Sequence, residues 1–325
     1  MTATKTSFDF SETARSPVAR KLTLTVLAGG PGGEREVSLE SGRSVAAALE
    51  SLGHDVQLAD IGPDDLGALA RNVDCIFVAL HGRFGEDGEL QKILERRGLV
   101  YCGSGPEACA LAMNKAAAKQ RFQELGLPTP LYEVARQDTI RQAVAAWSMP
   151  VVVKPVQEGS SLDCSIQHEA AALRSTVEAL CDKHGECLVE EYIPGKELTV
   201  SILGEQALTP LEIRTKREFY DYQAKYVDDN TEYDFEIDLP ADLLARIGEM
   251  SLEAHRGLGC RDFSRVDWRV DAQTFQPYLL EVNVIPGLTG HSLLPKAAAR
   301  AGLAMPALCQ LIIEAAMKRG AGPRL

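Results

Sequence analysis

Positive charge is in short supply in this chain. Lysine and arginine number 34 against 46 aspartates and glutamates, a formal net charge of −12 over 325 residues. Such a surface repels phosphate backbones and anionic lipid, which excludes a sequence-independent nucleic-acid binder. Long apolar runs are also missing: none approaches the roughly 18 residues of a membrane span, so no membrane partner is expected. The first residues, MTATKTSFDFSETARSPVARK, lack an apolar centre and a small-residue cleavage site. They do not read as a secretory signal, and residues 1–20 are expected to be a disordered tail. The eight cysteines form no Cys-x-x-Cys and no Cys/His cluster of zinc spacing. Several lie in apolar runs, such as Cys75 in VDCIFVAL, which points to buried free thiols in a reducing, cytoplasmic setting.

What is present alternates. Leu22–Ala28 is apolar and β-branched, a buried strand, followed by the glycine loop Gly29-Gly-Pro-Gly-Gly33. SLESGRSVAAALESLGH reads as a helix ending near Gly53, HDVQLADI and DCIFVAL as strands, GELQKILERRG as a helix and LVYCGSG as a short strand. This is an α/β pattern with a mostly parallel sheet, and the glycine loop sits at the carboxyl end of a strand, where such sheets bind ligands. Residues 106–125 read as helical. A second unit follows: a helix near 138–147, the strand PVVVKP (150–155), the polar loop QEGSSLDCS, a helix near 168–183 and the strand ECLVEEYI. Beyond Pro194, ELTVSIL alternates, 214–235 is polar and aromatic without a period, and DLLARIGEMSLEAHRGLG is an amphipathic helix. A loop that long inside a compact chain is usually functional.

Two strands carry the strongest chemical signal. In SRVDWRVD, Arg265, Asp267 and Arg269 share one face; in YLLEVNVIPG, Leu279, Glu281 and Asn283 share one face and Leu280, Val282 and Val284 the other. If Val270 pairs with Tyr278 across the hairpin, Asp267 falls opposite Glu281 and Arg265 opposite Asn283. Like charges opposite each other destabilise a sheet. Either a hard cation such as magnesium lies between these oxygen donors, or Arg265 and Arg269 neutralise the acids on a solvated face. Two readings also fit His81-Gly-Arg-Phe-Gly-Glu-Asp-Gly88: a substrate site, or a turn in which Glu86 or Asp87 caps the next helix. The loop Glu158-Gly-Ser-Ser161 after a strand ending in Lys154 suits phosphate contact through backbone N–H groups, hydroxyls and a point charge. Taken singly, Lys115, Glu197 and His291 read as ordinary polar positions.

Together the segments are specific. GGPGGEREVSLESG (29–42), ALHGRFGEDG (79–88), VKPVQEGSS (153–161), FYDYQAKY (219–226), GCRDFSRVDW (259–268) and LLEVNVIPGLTGHSLLP (279–295) resemble, in order, those of the D-alanine–D-alanine ligases of the ATP-grasp superfamily. The resemblance implies an ATP-grasp fold with an N-terminal Rossmann-like domain. Its parts would be residues 21–105, a central subdomain at 106–190 and a C-terminal subdomain at 191–325 with a lid at 214–235. It implies that two D-alanines and ATP give D-alanyl-D-alanine, ADP and phosphate through an acylphosphate, for peptidoglycan precursor synthesis. It also implies magnesium or manganese, two ions, and a homodimer.

Residue by residue, Glu34 resembles the acid that holds the first D-alanine's ammonium, with His81 near it and Ser160 orienting Glu34 and Tyr226. Lys115 and Lys154 resemble the lysines on ATP phosphates, Glu190, Glu191, Tyr192 and Ile193 the adenine-lining segment, and Glu197 the ribose-contacting acid. Lys225 resembles the lid lysine on the γ-phosphate, beside Tyr226, which closes the lid. Arg265 and the N–H of Gly287 match the oxyanion hole, and Ser292 and Leu293 the receptor of the second carboxylate. Asp267, Glu281 and Asn283 match the metal ligands. Lys225-Tyr226 favours an amine as second substrate, since relatives that use D-lactate usually carry histidine in place of the tyrosine. Two alternatives are a ligase for another D-amino acid or D-hydroxy acid, and a weakly active ATP-binding paralogue. Four positions differ from the family's usual residues: Leu162-Asp163 for Val-Gly, Asn114 for Asp, Gln223 for Glu and Val284 for Thr. An acid at 163 repels ATP unless it points away.

Overall fold

A computed structural model of the chain describes residues 20–145, 147–217 and 231–321. The expected tail, Arg20 apart, lies outside them, as do Gln223, Lys225 and Tyr226 of the expected lid. Three sheets organise the described residues. In the first, β1 (Thr23–Ala28) runs between β2 (Asp55–Asp60) and β3 (Cys75–Val78), parallel to both. Leu24, Val26 and Leu27 are all buried, as a strand covered on both faces requires. Because β1 is central, the glycine loop after it opens at the switch point of the sheet, and α1 (Arg35–Ser51) starts there. The short strand expected in LVYCGSG is a single parallel bridge, Ile76 to Tyr101.

The helical run after Pro106 is two helices. Asn114 separates α2 (Pro106–Met113) from α3 (Lys115–Glu124), leaves helical geometry, and caps the second by accepting from the Ala117 N–H at 3.0 Å. An earlier helix, α4 (Glu89–Arg96), follows the His81 turn. The second sheet is antiparallel, in the order β4 (Tyr132–Arg136), β7 (Glu186–Glu191), β5 (Val151–Pro155), β6 (Ser165–Gln167). The helix expected over 138–147 is only Ile140–Ala143. The helix α5 (Ala170–His184) buries Leu173, Val177 and Leu180 against Val151, Val153 and Val189 of that sheet.

The third sheet is built from β8 (Gly195–Leu203), β9 (Gln206–Ala207), β10 (Leu211–Arg214), β11 (Glu232–Asp234), β12 (Phe263–Asp271) and β13 (Pro277–Asn283). Its main order is β11-β10-β8-β12-β13. Part of the region expected to be irregular is thus regular: β10 and β11 pair antiparallel at the two ends of the stretch that was expected to be a lid. The helices α6 (Ala241–Gly257), α7 (Leu293–Arg300) and α8 (Met305–Arg319) complete the chain. Leu308, Ile312 and Ile313 pack with Val45 and Leu49 of α1 and Phe77 of β3, so the end of the chain closes the first sheet's core. No single helix among the described residues is long and apolar enough to cross a membrane. All eight cysteines are free and seven are buried.

The β12–β13 hairpin corrects one expectation and keeps its consequence. Val270 pairs with Pro277, not Tyr278, yet Asp267 lies opposite Glu281 and Arg265 opposite Asn283. A bulge at Asp267/Trp268 absorbs the one-residue difference. The bulge also breaks the alternation: Leu279 is fully buried, whereas Leu280 lines the same cavity as Glu281. The assumed face assignment of these two leucines is therefore reversed.

Candidate active site

Two cavities meet at Gly159 and Ser160. The first lies between the second and third sheets. It is lined by Lys115, Lys154, Ser161 and the segment Glu190–Ile193, and closed by Glu197, Asp267 and Glu281. Lys154, Glu190, Glu197, Asp267 and Glu281 come from strands whose core side fixes them. Lys154 is the fourth residue of the buried strand β5, and Glu190 sits one strand away on β7.

The basic groups here are organised by one buried acid. The Lys154 ammonium lies 2.9 Å from Glu190 Oε1, and that of Lys119 2.5 Å from Oε2. Lys119 is wholly buried and also donates to Thr129 Oγ1 at 2.6 Å, whose hydroxyl donates in turn to the Leu279 carbonyl. Burial pushes the Lys119 ammonium down to about 8. Burial pushes the Glu190 carboxyl up, but the two ammoniums outweigh it and hold it below its usual range. The Glu190 carboxylate is thus committed to lysines, leaving its backbone for a base. Sequence reasoning missed Lys119, although its spacing of four from Lys115 puts two like charges on one helix face unless one is buried. It also missed what Arg269 does. That guanidinium donates to the Ile193 carbonyl at 3.1 Å and to Glu197 at 3.3 Å, and lies over the Tyr192 ring.

The second cavity is lined by Glu34, His81, Glu86, Arg265, Asn283, Gly287, Ser292 and Leu293, among others. Glu34 ends the glycine loop, just before α1, and accepts from the Ser160 hydroxyl. A Cβ on Gly82 would come within 2.7 Å of its carboxylate, and one on Gly159 within 2.5 Å. A side chain at either position would push the Glu34 carboxylate aside, and at Gly82, with φ +70°, it would also strain the backbone. The His81 ring is neutral and fully used. Its Nδ1 donates to the Ile285 carbonyl at 2.9 Å, and Nε2 lies 3.1 Å from the Ser41 hydroxyl, while burial lowers its affinity for a proton. The two readings of the His81 turn divide between its acids. Asp87 accepts from the Phe84 and Glu89 N–H groups at 2.7 and 3.0 Å and so caps α4. Glu86 faces the cavity and accepts from Gly82 and Ile285 N–H groups at 2.6 and 3.3 Å. Burial, then Glu34, pushes its carboxyl up to about 8.

Arg265 and Asp267 link the cavities. The guanidinium grips both Asp267 oxygens at 2.9 and 2.8 Å, and Thr199 and Asn283 donate to the same carboxylate at 2.7 and 2.9 Å. Arg265 therefore does neutralise Asp267, whereas Arg269 pairs with Glu197. Glu281, directly opposite, has no donor among the described residues. Asp267, Glu281 and the Asn283 amide oxygen form an all-oxygen set on one sheet face, the chemistry of a hard cation. Among the described residues no cluster of three or more His, Cys, Asp or Glu stands ready for a metal, so phosphate oxygens and water would supply the remaining ligands. At the far wall, a Cβ on Gly287 would come within 2.6 Å of Ser292 Oγ, and the Gly287 N–H has no acceptor among the described residues. Ser292 precedes α7, whose N-terminus opens on the cavity beside Leu293.

Two family models match the chain: the D-ala D-ala ligase N-terminus over residues 61–104 and the D-ala D-ala ligase C-terminus over 122–314. The chain belongs to the D-alanine–D-alanine ligase family. A D-alanine–D-alanine ligase of Acidiphilium cryptum is 44% identical over 300 residues, covering 91% of this chain and 99% of that relative. One of Geotalea uraniireducens is 44% identical over 295 residues, covering 90% and 95%. Among solved ligases, that of Bacillus anthracis complexed with ATP superposes with a TM-score of 0.78 at 31% identity, covering 92% of this chain and 98% of the other. The VanG D-Ala:D-Ser ligase of Enterococcus faecalis does so at 0.79 and 26%, covering 91% and 100%. The fold is therefore the α/β ATP-grasp fold of these ligases.

Proposed function

We infer that this protein joins two D-alanines at the expense of ATP, giving D-alanyl-D-alanine for cell-wall precursors in the cytoplasm. The observation that carries the reading is the meeting of the two cavities at Gly159–Ser160. A nucleotide in the lysine-rich cavity brings its γ-phosphate to the loop that also touches Glu34. The first D-alanine places its ammonium at Glu34 and its carboxylate toward the phosphates. A carboxylate oxygen attacks the γ-phosphorus, the bond to the bridging oxygen of ADP breaks, and an acylphosphate forms. The amine of the second D-alanine, seated by its carboxylate at Ser292, Leu293 and the start of α7, then attacks the acyl carbon. The new C–N bond replaces the C–O bond to phosphate, and the amine's proton leaves with phosphate and solvent.

Lys115, Lys154 and the N–H groups of the 158–161 loop hold phosphate charge, and Glu191, Tyr192, Ile193 and Glu197 border the base and ribose. Magnesium or manganese, two ions, at Asp267, Glu281 and Asn283 would neutralise charge on the β- and γ-phosphates. Arg265 and the Gly287 N–H face the developing oxyanion. Lys225 and Tyr226 belong to the proposed lid at 214–235, and the domain limits near 105 and 190 follow the same reading, as does a homodimer. Phosphate release with ATP, magnesium and D-alanine alone tests it. Release that requires D-serine or D-lactate identifies another second substrate, and ATP binding without release identifies an inactive paralogue.

A further inference from the structure

The loop after β5 contains three non-glycine residues in the left-handed region: Ser160, Ser161 and Asp163, with φ of 49°, 56° and 55°. Backbone of that kind costs about 1–3 kcal/mol per residue and persists only where the surroundings enforce it. Inside the loop, the Leu162 N–H donates to the Gly159 carbonyl at 3.0 Å, and that of Cys164 to the Ser161 carbonyl at 3.3 Å. The loop also needs an outside hold. Ser160, Ser161, Leu162 and Cys164 all line the nucleotide cavity, and Asp163 does not. Its carboxylate turns outward and accepts from Lys183 Nζ at 2.6 Å and His184 Nε2 at 2.7 Å. The other ring nitrogen of His184 lies 3.9 Å from a Glu158 oxygen, so one imidazole sits between both ends of the loop. Lys183 and His184 are the last residues of α5, where the helix dipole favours positive groups. The core side of α5 is buried against the second sheet, so the anchor is rigid.

We propose that Asp163 is a positioning residue, which with Lys183 and His184 latches the 158–164 loop so that Ser160 and Ser161 face ATP phosphate and Glu34. The proposal deepens the reading of this loop as the phosphate cradle and rests on it. It also answers the charge question at 163: the acid is turned away from the cavity and paired, so it does not oppose ATP. A glycine at 163 would take the same φ freely. Here a side-chain tether holds what backbone freedom would otherwise permit.

The test uses the full-length protein and three variants. Asp163→Asn keeps a residue tolerant of left-handed backbone while removing the charge. Lys183→Met removes a partner that is mostly exposed, so folding is not at stake. The double variant measures their coupling. For a partly exposed ion pair the expected rise in KM for ATP is about three- to fivefold, with kcat at saturating ATP nearly unchanged. The double variant is no worse than either single one. Without nucleotide, amide exchange over 158–164 is faster in Asp163→Asn than in wild type. Unchanged exchange overturns the latch. Faster exchange with unchanged KM overturns the link between latch and nucleotide. Lys154→Ala, tested alongside, separates that result from failure of the site reading: if it too leaves KM for ATP unmoved, the lysine-rich cavity is not the nucleotide site.

Discussion

The two cavities hold charge in opposite ways. Around the cavity proposed for the nucleotide, cations are set in place by acids: Lys119 and Lys154 by Glu190, Arg269 by Glu197. Around the amino-acid cavity, acids are set in place by backbone and hydroxyls: Glu34 by Ser160 and two flanking glycines, Glu86 by two N–H groups. The difference suits the ligands proposed for each. A polyphosphate needs several positive groups at fixed spacing, and a buried acid fixes two at once while lowering their mutual repulsion. A small zwitterion needs one acid, one receptor for a carboxylate and little room, and glycine removes the side chains that would fill that room. A chain with a net charge of −12 can therefore bind a polyanion. What matters is the few charges the fold gathers.

The residue where the two arrangements join gives the largest expected effect. Arg265 pairs with Asp267 on the nucleotide side and faces the amino-acid cavity. Arg265→Ala lowers kcat by about 10²–10³, the range for loss of an oxyanion donor, while the variant stays folded. Steady-state turnover and a thermal melt decide it, and intact turnover removes Arg265 from the chemistry. Next comes the nucleotide side alone. Lys119→Met takes one of two cations from a buried acid and costs about 3 kcal/mol of stability, the lower end for a broken buried pair. KM for ATP rises and KM for D-alanine does not. An unchanged denaturation midpoint shows that Glu190 needs only Lys154. Third is the amino-acid side alone. In Gly82→Ala the new Cβ meets Glu34 at 2.7 Å, at a backbone φ of +70°. Overpacking of about 1–3 kcal/mol corresponds to a rise of roughly five- to 150-fold in KM for D-alanine, with KM for ATP within about twofold. A variant that moves both constants equally breaks the distinction between the cavities.

Much of this was legible beforehand, for physical reasons. A period-2 strand puts Asp267 and Arg265 on one face whatever the rest of the fold does. The order of the six motifs carried the family. What was not legible needed three dimensions. The bulge at Asp267/Trp268 depends on both strands, so Val270 pairs one residue away from the expected partner and Leu279 and Leu280 exchange faces. Lys119 looks like any helix lysine until Glu190 arrives from a strand some seventy residues on. Asp163 looked like an obstacle to phosphate because its partners, Lys183 and His184, are a helix away.

The smallest effect probes whether the amino-acid cavity carries one negative charge or two. Glu86 and Glu34 face the same space, and two ionised carboxylates there would bind more than one ammonium. Burial and the neighbouring Glu34 raise the Glu86 carboxyl from its ordinary 4.5 to about 8, against the pull of two N–H donors that favour its charged form. A raised acid means that the folded protein binds a proton the unfolded chain has lost between those two values. Stability from this group is then full below pH 4.5 and falls as pH rises toward 8. Glu86→Gln imitates the protonated form and has no such proton to lose. Melting temperatures measured from pH 5 to 8 should therefore decline more steeply in the wild type than in the variant, by a few degrees over the interval. Parallel curves would mean that Glu86 is already ionised in the fold, with its two N–H bonds outweighing burial. In that case the contrast between the cavities narrows, because the amino-acid side would then hold a charged pair as the nucleotide side does, but of like sign and held apart by backbone.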